Sequence, residues 1–344
     1  MRLKELNNAV EATDFDINSN EHIAELGKAV AERQVVFVDQ NVTEDRLYDI
    51  HTQWGTPANG LVHTALIKGD LGGKHWRKTA TNIFRTVMDI KKEHRMSVAA
   101  VTYQKDKRGK PKGVFANGDL GWHSDHPSTD DNMRVVGLAA VEHTEGSATW
   151  FLSTAEAYDK LSQEDKTMVD ELRSVYSWEY DNFTGELIPD QKEIVKYNQV
   201  PIDGMSSALQ METAAGVKGI HFPGSLFSHF QGMEKEESKK FKEHLWSLIN
   251  KDEYITKIDW KDGQVAFMDQ MITLHARPTN IKDGNLRYML RCCSYMDNIY
   301  PDYAPHPVIT IGDKKMELQE FLDAVDKQKK SEYESTGEYL AGSI

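Results

Sequence analysis

The sequence predicts a mainly β domain with flanking α-helices, and two observations lead to this fold class. Apolar runs of strand length recur between positions 34 and 296, separated by turn residues. Amphipathic helical periodicity is found in only a few segments between these runs. No internal repeat, low-complexity block or clean linker divides the 344 residues. A single domain over 1–344 is therefore expected.

Helices are recognised by apolar residues three and four positions apart and by capping residues at their starts. Thr43 is expected to cap the second helix, and a capping box from Ser153 to Glu156 is expected to begin the third. Ser162 and Asp165 form the same signal at the start of the fourth. The predicted helices cover 22–33, 44–54, 153–161, 162–173 and 234–249.

Strands are predicted where short runs are rich in Val, Ala and other apolar residues. They cover 34–38, 97–104, 134–142, 149–152, 175–180, 197–200, 209–212, 264–268 and 286–296.

Three segments lack this order. Residues 59–95 have poor periodicity and are expected to form a long loop. The basic run 105–112 is typical of a solvated turn, which could also attract an anion. The polar residues 301–344 are expected to be a C-terminal extension to a core of about 22–298, with one helix near 318–325 and a charged tail.

Composition narrows the class of protein. The net charge of −13 argues against general binding of nucleic acid through its phosphates. No run of eighteen apolar residues could cross a bilayer, and the first residues do not have the apolar stretch of a signal peptide. The two cysteines, Cys292 and Cys293, are adjacent and do not suggest a disulfide framework. We expect a cytoplasmic protein.

The stretch Gly121 to Pro127 contains the one His-x-Asp among thirteen histidines. In an extended segment His123 and Asp125 project to the same side, because side chains two positions apart share a face. With a second imidazole they would form the two-histidine, one-carboxylate set that is typical of non-haem Fe(II) oxygenases. At this point the alternative, a strand carrying a solvated His and Asp, stays open.

The last predicted strand carries two arginines on one face. With a period of two, Arg287, Met289 and Arg291 share a face with Cys293 and Tyr295. A guanidinium buried in so apolar a strand requires an anion. The alternative is that this face lies in solvent.

Together, these motifs resemble the Fe(II)- and 2-oxoglutarate-dependent dioxygenases of the taurine dioxygenase and 2,4-dichlorophenoxyacetate dioxygenase superfamily. The resemblance extends from about His22 to Asn298. Its parts, in order, are Gln34-Val-Val-Phe-Val-Asp-Gln40, Trp54-Gly55, Trp122-His-Ser-Asp125, Thr149-Trp150, Ala155 to Leu161, Met268-Asp-Gln270, Leu274-His275-Ala-Arg277 and Arg287-Tyr-Met-Leu-Arg291. The resemblance implies a double-stranded β-helix, which is a jelly roll of the cupin kind, with helices on one side.

The resemblance also implies roles for individual residues. His123, Asp125 and His275 match the iron ligands. Arg287 matches the arginine that holds the far carboxylate of 2-oxoglutarate, and Thr149 the threonine that assists it. The second arginine of the family pattern, which lies at the substrate anion in sulfonate-using relatives, matches position 291. Further neighbours expected for the substrate are Asn117, His126 and Trp76.

The implied enzyme uses Fe(II), 2-oxoglutarate and O2. It couples decarboxylation of 2-oxoglutarate to oxidation of a C–H bond, usually hydroxylation, in a small and anionic substrate. Because Asp125 is present, no ligand position is vacated for a halide, which disfavours halogenation. A homo-oligomer is expected from family habit. Three alternatives remain: a zinc enzyme, a metal-binding or sensing protein without turnover, and an oxygenase acting on a macromolecule.

Overall fold

The structure is a computed structural model, and it describes residues 1–57, 98–102, 104–105, 120–125, 134–176, 205–224, 227–278, 286–303, 308–311 and 314–317. The helices within these residues are α1 Asn20–Arg33, α2 Glu44–Trp54, α3 Ala155–Asp159, α4 Gln163–Glu171 and α5 Lys235–Ile249. The strands are β1 Arg2–Leu6, β2 Ala9–Thr13, β3 Val35–Val38, β4 Val98–Thr102, β5 Leu120–His123, β6 Val135–Glu142, β7 Ala148–Ser153, β8 Arg173–Tyr176, β9 Met205–Ala208, β10 Gln210–Glu212, β11 Lys218–Ile220, β12 Phe227–Phe230, β13 Ile255–Asp259, β14 Gln264–Asp269, β15 Thr273–Arg277, β16 Tyr288–Ser294, β17 Val308–Ile311 and β18 Lys314–Glu317.

Two sheets form the centre of the fold. The larger has the order β1-β2-β3-β14-β6-β16-β4, and the smaller has the order β13-β7-β15-β5. Along the chain, β4 to β7 alternate between the two sheets, and so do β13 to β16. This interleaving is that of a double-stranded β-helix, so the predicted fold class is confirmed.

The core lies between the two sheets. Because strand side chains alternate between faces, Leu138, Met289 and Cys293 of the larger sheet face inward and pack with Phe151 and Ile258 of the smaller sheet. On β16 the predicted period of two is therefore observed, and it directs this face of the strand into the interior.

Helices cover the outer faces of both sheets. α1 and α2 pack on the larger sheet, where Leu26 and Leu47 join a cluster with Phe267 and Leu290. Each of these helices has a side-chain cap at its start. The Ser19 side chain accepts a hydrogen bond from the backbone N–H of His22, and the Thr43 side chain, as predicted, accepts one from the backbone N–H of Arg46. On the smaller sheet, α3 to α5 and β8 to β12 build the outer layer.

Some local predictions need correction. The capping box from Ser153 to Glu156 is wrong, because Ser153 ends β7 and Thr154 occupies the N-cap without a side-chain capping bond. Instead, the Thr154 hydroxyl donates to the carbonyls of Ile220 and Ile272. It therefore ties α3 to the neighbouring strands rather than capping its own helix.

Other predictions concern residues outside the described part of the chain. They are the loop over 59–95, nearly all of the basic run 105–112, the strand at 197–200, the helix near 318–325 and the charged tail.

Candidate metal centre

The two histidines of the predicted metal site lie side by side on neighbouring strands. His123 on β5 and His275 on β15 are directly paired in the antiparallel ladder. Their ring centroids are 4.2 Å apart. Asp125 follows β5 and points to the same side, so that one ligand atom from each of the three residues lies within 4.8 Å of the others. The structure thus brings His275 together with His123 and Asp125, two side chains that are distant from it in sequence.

Both imidazoles can present an unprotonated nitrogen. Nδ1 of His123 donates to the carbonyl of Gly121 at 2.6 Å, which leaves Nε2 as the acceptor, 3.9 Å from Oδ1 of Asp125. Such a hydrogen bond fixes the tautomer of a metal-binding histidine. Burial, and then the neighbouring His123, lower the pKa of His275 to about 3. His275 is therefore neutral at physiological pH, as metal ligation requires.

These donors fit Fe(II). Two imidazoles and one carboxylate, close together on one side of a cavity, form a donor set that this ion accepts with positions left open for other ligands. In addition, Nδ1 of His275 is buried and has no hydrogen-bond partner within the described residues. The same donors would also accept zinc, so the donor set alone does not choose between the two metals.

Asp125 is held from the opposite sheet. Oδ2 of Asp125 accepts hydrogen bonds from Nε of Arg291 at 2.8 Å and from Nη2 at 2.5 Å. Only 12% of the Asp125 side chain and 16% of the Arg291 side chain are exposed. Although burial acts in the opposite direction, the Asp125 carboxylate raises the pKa of Arg291 above its usual value. The guanidinium predicted for a substrate anion therefore contacts a candidate metal ligand in this structure.

A cavity of about 50 Å³ lies beside the three candidate ligands. Its wall includes Thr149 and Arg287, the residues predicted for the cosubstrate. Arg287 is 2% exposed, and burial, with a further contribution from Arg277, lowers its pKa to about 10. Arg287 consequently stays charged at neutral pH. The Thr149 hydroxyl accepts a hydrogen bond from the indole Nε1 of Trp260 at 2.8 Å.

Arg277 is a site residue that the sequence prediction left without a role. It lies two positions after His275 on β15, lines the same cavity and is 5% exposed. The signal was present in the sequence, because alternate residues of a strand share a face. With Arg287 and Arg291, it gives the cavity three guanidinium groups, which favour an anionic ligand.

Three residues expected as substrate neighbours, Asn117, His126 and Trp76, lie outside the described residues, so their roles stay predictions. His221 is buried, and its Nδ1 hydrogen-bonds with the carbonyl of Met271 at 2.6 Å.

A larger cavity of about 540 Å³ lies against β5, and His123 is among its lining residues. It is lined by three aromatic side chains, Trp122, Phe222 and Trp246, and by Lys242. Burial lowers the pKa of Lys242 to about 8, and its Nζ donates to the carbonyl of Gly224 at 3.4 Å. All three candidate ligands line the smaller cavity, whereas only His123 of the three lines the larger one. The candidate chemistry is therefore assigned to the smaller cavity.

Fold and site together define a class of protein in which a double-stranded β-helix carries a two-histidine, one-carboxylate metal centre. A family model described as "Taurine catabolism dioxygenase TauD, TfdA family" matches residues 2–293, and the chain belongs to this family. Its members are Fe(II)- and 2-oxoglutarate-dependent dioxygenases that act on small molecules, so the resemblance predicted from the sequence is confirmed.

Individual relatives are more distant. An alkylsulfatase of Acinetobacter baylyi is 25% identical over 171 residues, which cover 48% of this chain and 52% of that protein. The chain thus matches about half the length of this relative. A taurine dioxygenase from Burkholderia xenovorans aligns with a TM-score of 0.58 and 20% identity, covering 86% of this chain and 91% of that one. The structure of AAD-2 in complex with Mn(II) and N-oxalylglycine aligns with a TM-score of 0.61 and 15% identity, covering 85% and 96%. These two likenesses show the fold.

One further observation concerns membranes. No helix in the described ranges is both long and apolar enough to span a bilayer.

Proposed function

We propose that this chain is an Fe(II)- and 2-oxoglutarate-dependent dioxygenase that hydroxylates a C–H bond of a small anionic substrate. The observation that carries the proposal is the convergence of His123, Asp125 and His275 beside the buried guanidinium of Arg287. A zinc enzyme or a metal sensor would use the three ligands, but neither needs a buried arginine in the same cavity.

In this proposal the three ligands hold the iron. When bound, the iron supplies the redox chemistry by which a substrate C–H, 2-oxoglutarate and O2 become the alcohol, succinate and CO2. The chain contributes two imidazoles, one carboxylate and a cavity of about 50 Å³ whose wall includes buried side chains. Burial strengthens the electrostatic contacts within such a cavity.

Arg287 is proposed to bind the far carboxylate of 2-oxoglutarate. Its planar guanidinium can give two parallel charge-assisted hydrogen bonds to a carboxylate, a geometry that lysine cannot reproduce. The Thr149 hydroxyl, which already accepts from Trp260, has its own proton available to donate to the same ligand. N-oxalylglycine, present in the AAD-2 structure, has the oxalyl and carboxylate groups of 2-oxoglutarate with an NH in place of one methylene, and this supports the same cosubstrate here.

An anionic substrate is supported by the charge of the cavity. Three guanidinium groups, those of Arg277, Arg287 and Arg291, line it together with one carboxylate. The relative named alkylsulfatase is in keeping with an organic anion as substrate. We therefore propose a small molecule that carries a carboxylate, sulfonate, sulfate or phosphonate group.

The first test separates iron chemistry from zinc. Metal-free protein is reconstituted anaerobically with Fe(II) and 2-oxoglutarate, and the visible spectrum is recorded. We expect a weak charge-transfer band, which Zn(II) does not give. A screen of small organic anions for succinate release, followed by mass analysis for the gain of one oxygen atom, then identifies the substrate.

Substitutions of the candidate ligands test whether the band and the succinate release depend on this site. His123→Ala and His275→Ala are expected to abolish both the band and succinate release. The matched control is His244→Ala, because this histidine is exposed on α5 and pairs with Asp165 outside the cavity. If the two site variants retain the band, or if the unaltered protein shows neither the band nor succinate, the proposal is wrong.

A further inference from the structure

The ion pair between Asp125 and Arg291 joins the two sheets at the metal site. Asp125 follows β5 of the smaller sheet, whereas Arg291 belongs to β16 of the larger one. Both donors on one edge of the guanidinium, Nε and Nη2, bind the same oxygen, Oδ2. The other oxygen, Oδ1, faces Nε2 of His123. The two oxygens of one carboxylate thus have different surroundings.

We infer that Arg291 is a positioning residue for the metal site: it holds Oδ2 of Asp125 so that Oδ1 alone is presented to the ion. This inference rests on the proposed function. A carboxylate held in this way ligates through one oxygen, which leaves room for a chelating cosubstrate and O2. Groups that orient a metal ligand typically change metal affinity by about 10- to 100-fold when they are removed.

The same residue can still serve a substrate. The pair uses the Nε edge of the guanidinium, while among the described residues Nη1 makes no hydrogen bond. A substrate anion bound at Nη1 would be linked through Arg291 to the metal ligand. The role predicted from the sequence and the role inferred here are therefore compatible.

The direction of the change in metal affinity distinguishes a positioning role from a simple effect of charge. Removing a positive charge near a cation site strengthens cation binding if the two interact only through space. If Arg291 positions the ligand, its removal instead weakens binding. Arg287 provides the matched control, because it lies four residues earlier, lines the same cavity and carries the same charge.

The experiment titrates Co(II) into metal-free protein without cosubstrate and follows the visible absorption of the bound ion. We expect Arg291→Gln to bind Co(II) about 10- to 100-fold more weakly than the unaltered protein. Arg291→Lys should be intermediate, because it keeps the charge and loses the fork. Arg287→Gln should bind Co(II) as tightly as the unaltered protein or more tightly. Thermal unfolding of each variant is measured in parallel. If Arg291→Gln does not fold, the role of Arg291 is judged from the Co(II) affinity of Arg291→Lys.

The outcomes are distinct. Equal Co(II) affinity in the unaltered protein and the deciding Arg291 variant would overturn the role of Arg291 and leave the proposed function intact. Equal weakening in the Arg287 and Arg291 variants would also overturn that role, since the effect would then be general to the cavity. Absence of Co(II) binding in the unaltered protein would overturn the metal site and this inference together.

Discussion

Replacing Arg287 tests the proposal that this residue binds 2-oxoglutarate in the cavity. In Arg287→Gln the far carboxylate of 2-oxoglutarate would enter a buried site without its guanidinium partner. Arg287 is 2% exposed, so the carboxylate would be buried without a charged partner. Removing one partner of a buried ion pair costs about 3–5 kcal/mol. At about 1.4 kcal/mol for each factor of ten, the Kd for 2-oxoglutarate should rise by about 100-fold to a few thousandfold.

The conservative variant refines this expectation. Arg287→Lys keeps a charge but cannot make two parallel hydrogen bonds. We expect a loss of about 1–2 kcal/mol, or roughly tenfold, on the scale of one hydrogen bond to a charged group.

The assay is calorimetric titration of 2-oxoglutarate into Co(II)-loaded protein, together with succinate release as a function of cosubstrate concentration. Arg277→Gln is the comparison variant, because Arg277 is a second buried guanidinium in the same cavity. The reasoning is refuted if Arg287→Gln binds 2-oxoglutarate as the unaltered protein does. A larger loss in Arg277→Gln would move the carboxylate site to that residue.

Three further predictions concern stability and reactivity. Thr149→Val should lower the free energy of unfolding by about 1–3 kcal/mol, because it leaves the buried indole N–H of Trp260 without an acceptor; Thr149→Ser, which keeps the hydroxyl, should not. Burial raises the pKa of Asp269 from 3.8 to about 7, so the folded protein binds this proton more tightly than the unfolded chain does. Its contribution to stability is fully present below about pH 3.8 and is lost as the pH rises through about 7, by on the order of 4 kcal/mol. Denaturant unfolding at several pH values should show this slope in the unaltered protein and a smaller one in Asp269→Asn. Cys292 and Cys293 are buried, and burial raises the pKa of both thiols, that of Cys293 to about 12, so thiol reagents should label them only after unfolding.

Each of these predictions has a contrary result. Equal stability of the Val and Ser variants at position 149 would mean that the indole finds another acceptor. A pH dependence that is unchanged in Asp269→Asn would assign it to other groups. Rapid labelling of the folded protein at either cysteine would show that this part of β16 opens to solvent.

Periodicity predicted those strands whose local pattern and buried environment agree. β6 and β14 are apolar runs in the sequence and lie in the centre of the larger sheet. The β1–β2 hairpin was missed because β1 is mostly exposed and carries charged residues. This hairpin joins the sheet through parallel pairing of β2 with β3, and the local sequence pattern does not predict this contact.

The site was predictable where spacing alone decides geometry. A period of two placed His123 with Asp125, and it placed Arg287, which directly precedes β16, on the same side as Arg291. Which anion each guanidinium meets is not a local property, since 166 positions separate Asp125 from Arg291. Their pairing depends on how the two sheets approach each other, so it could not be predicted from the spacing, and the substrate role of Arg291, implied by the resemblance, stays a prediction.

The ladder between β5 and β15 also determines when the centre can come into existence. β5 has four residues and lies at the edge of its sheet, and its partner in that sheet is one of the last strands of the core. Pairings this remote along the chain form late in folding. A nascent polypeptide that has not yet produced β15 contains only two of the three candidate ligands, His123 and Asp125. In the proposed function, the complete metal site therefore forms only after β15 has paired with β5.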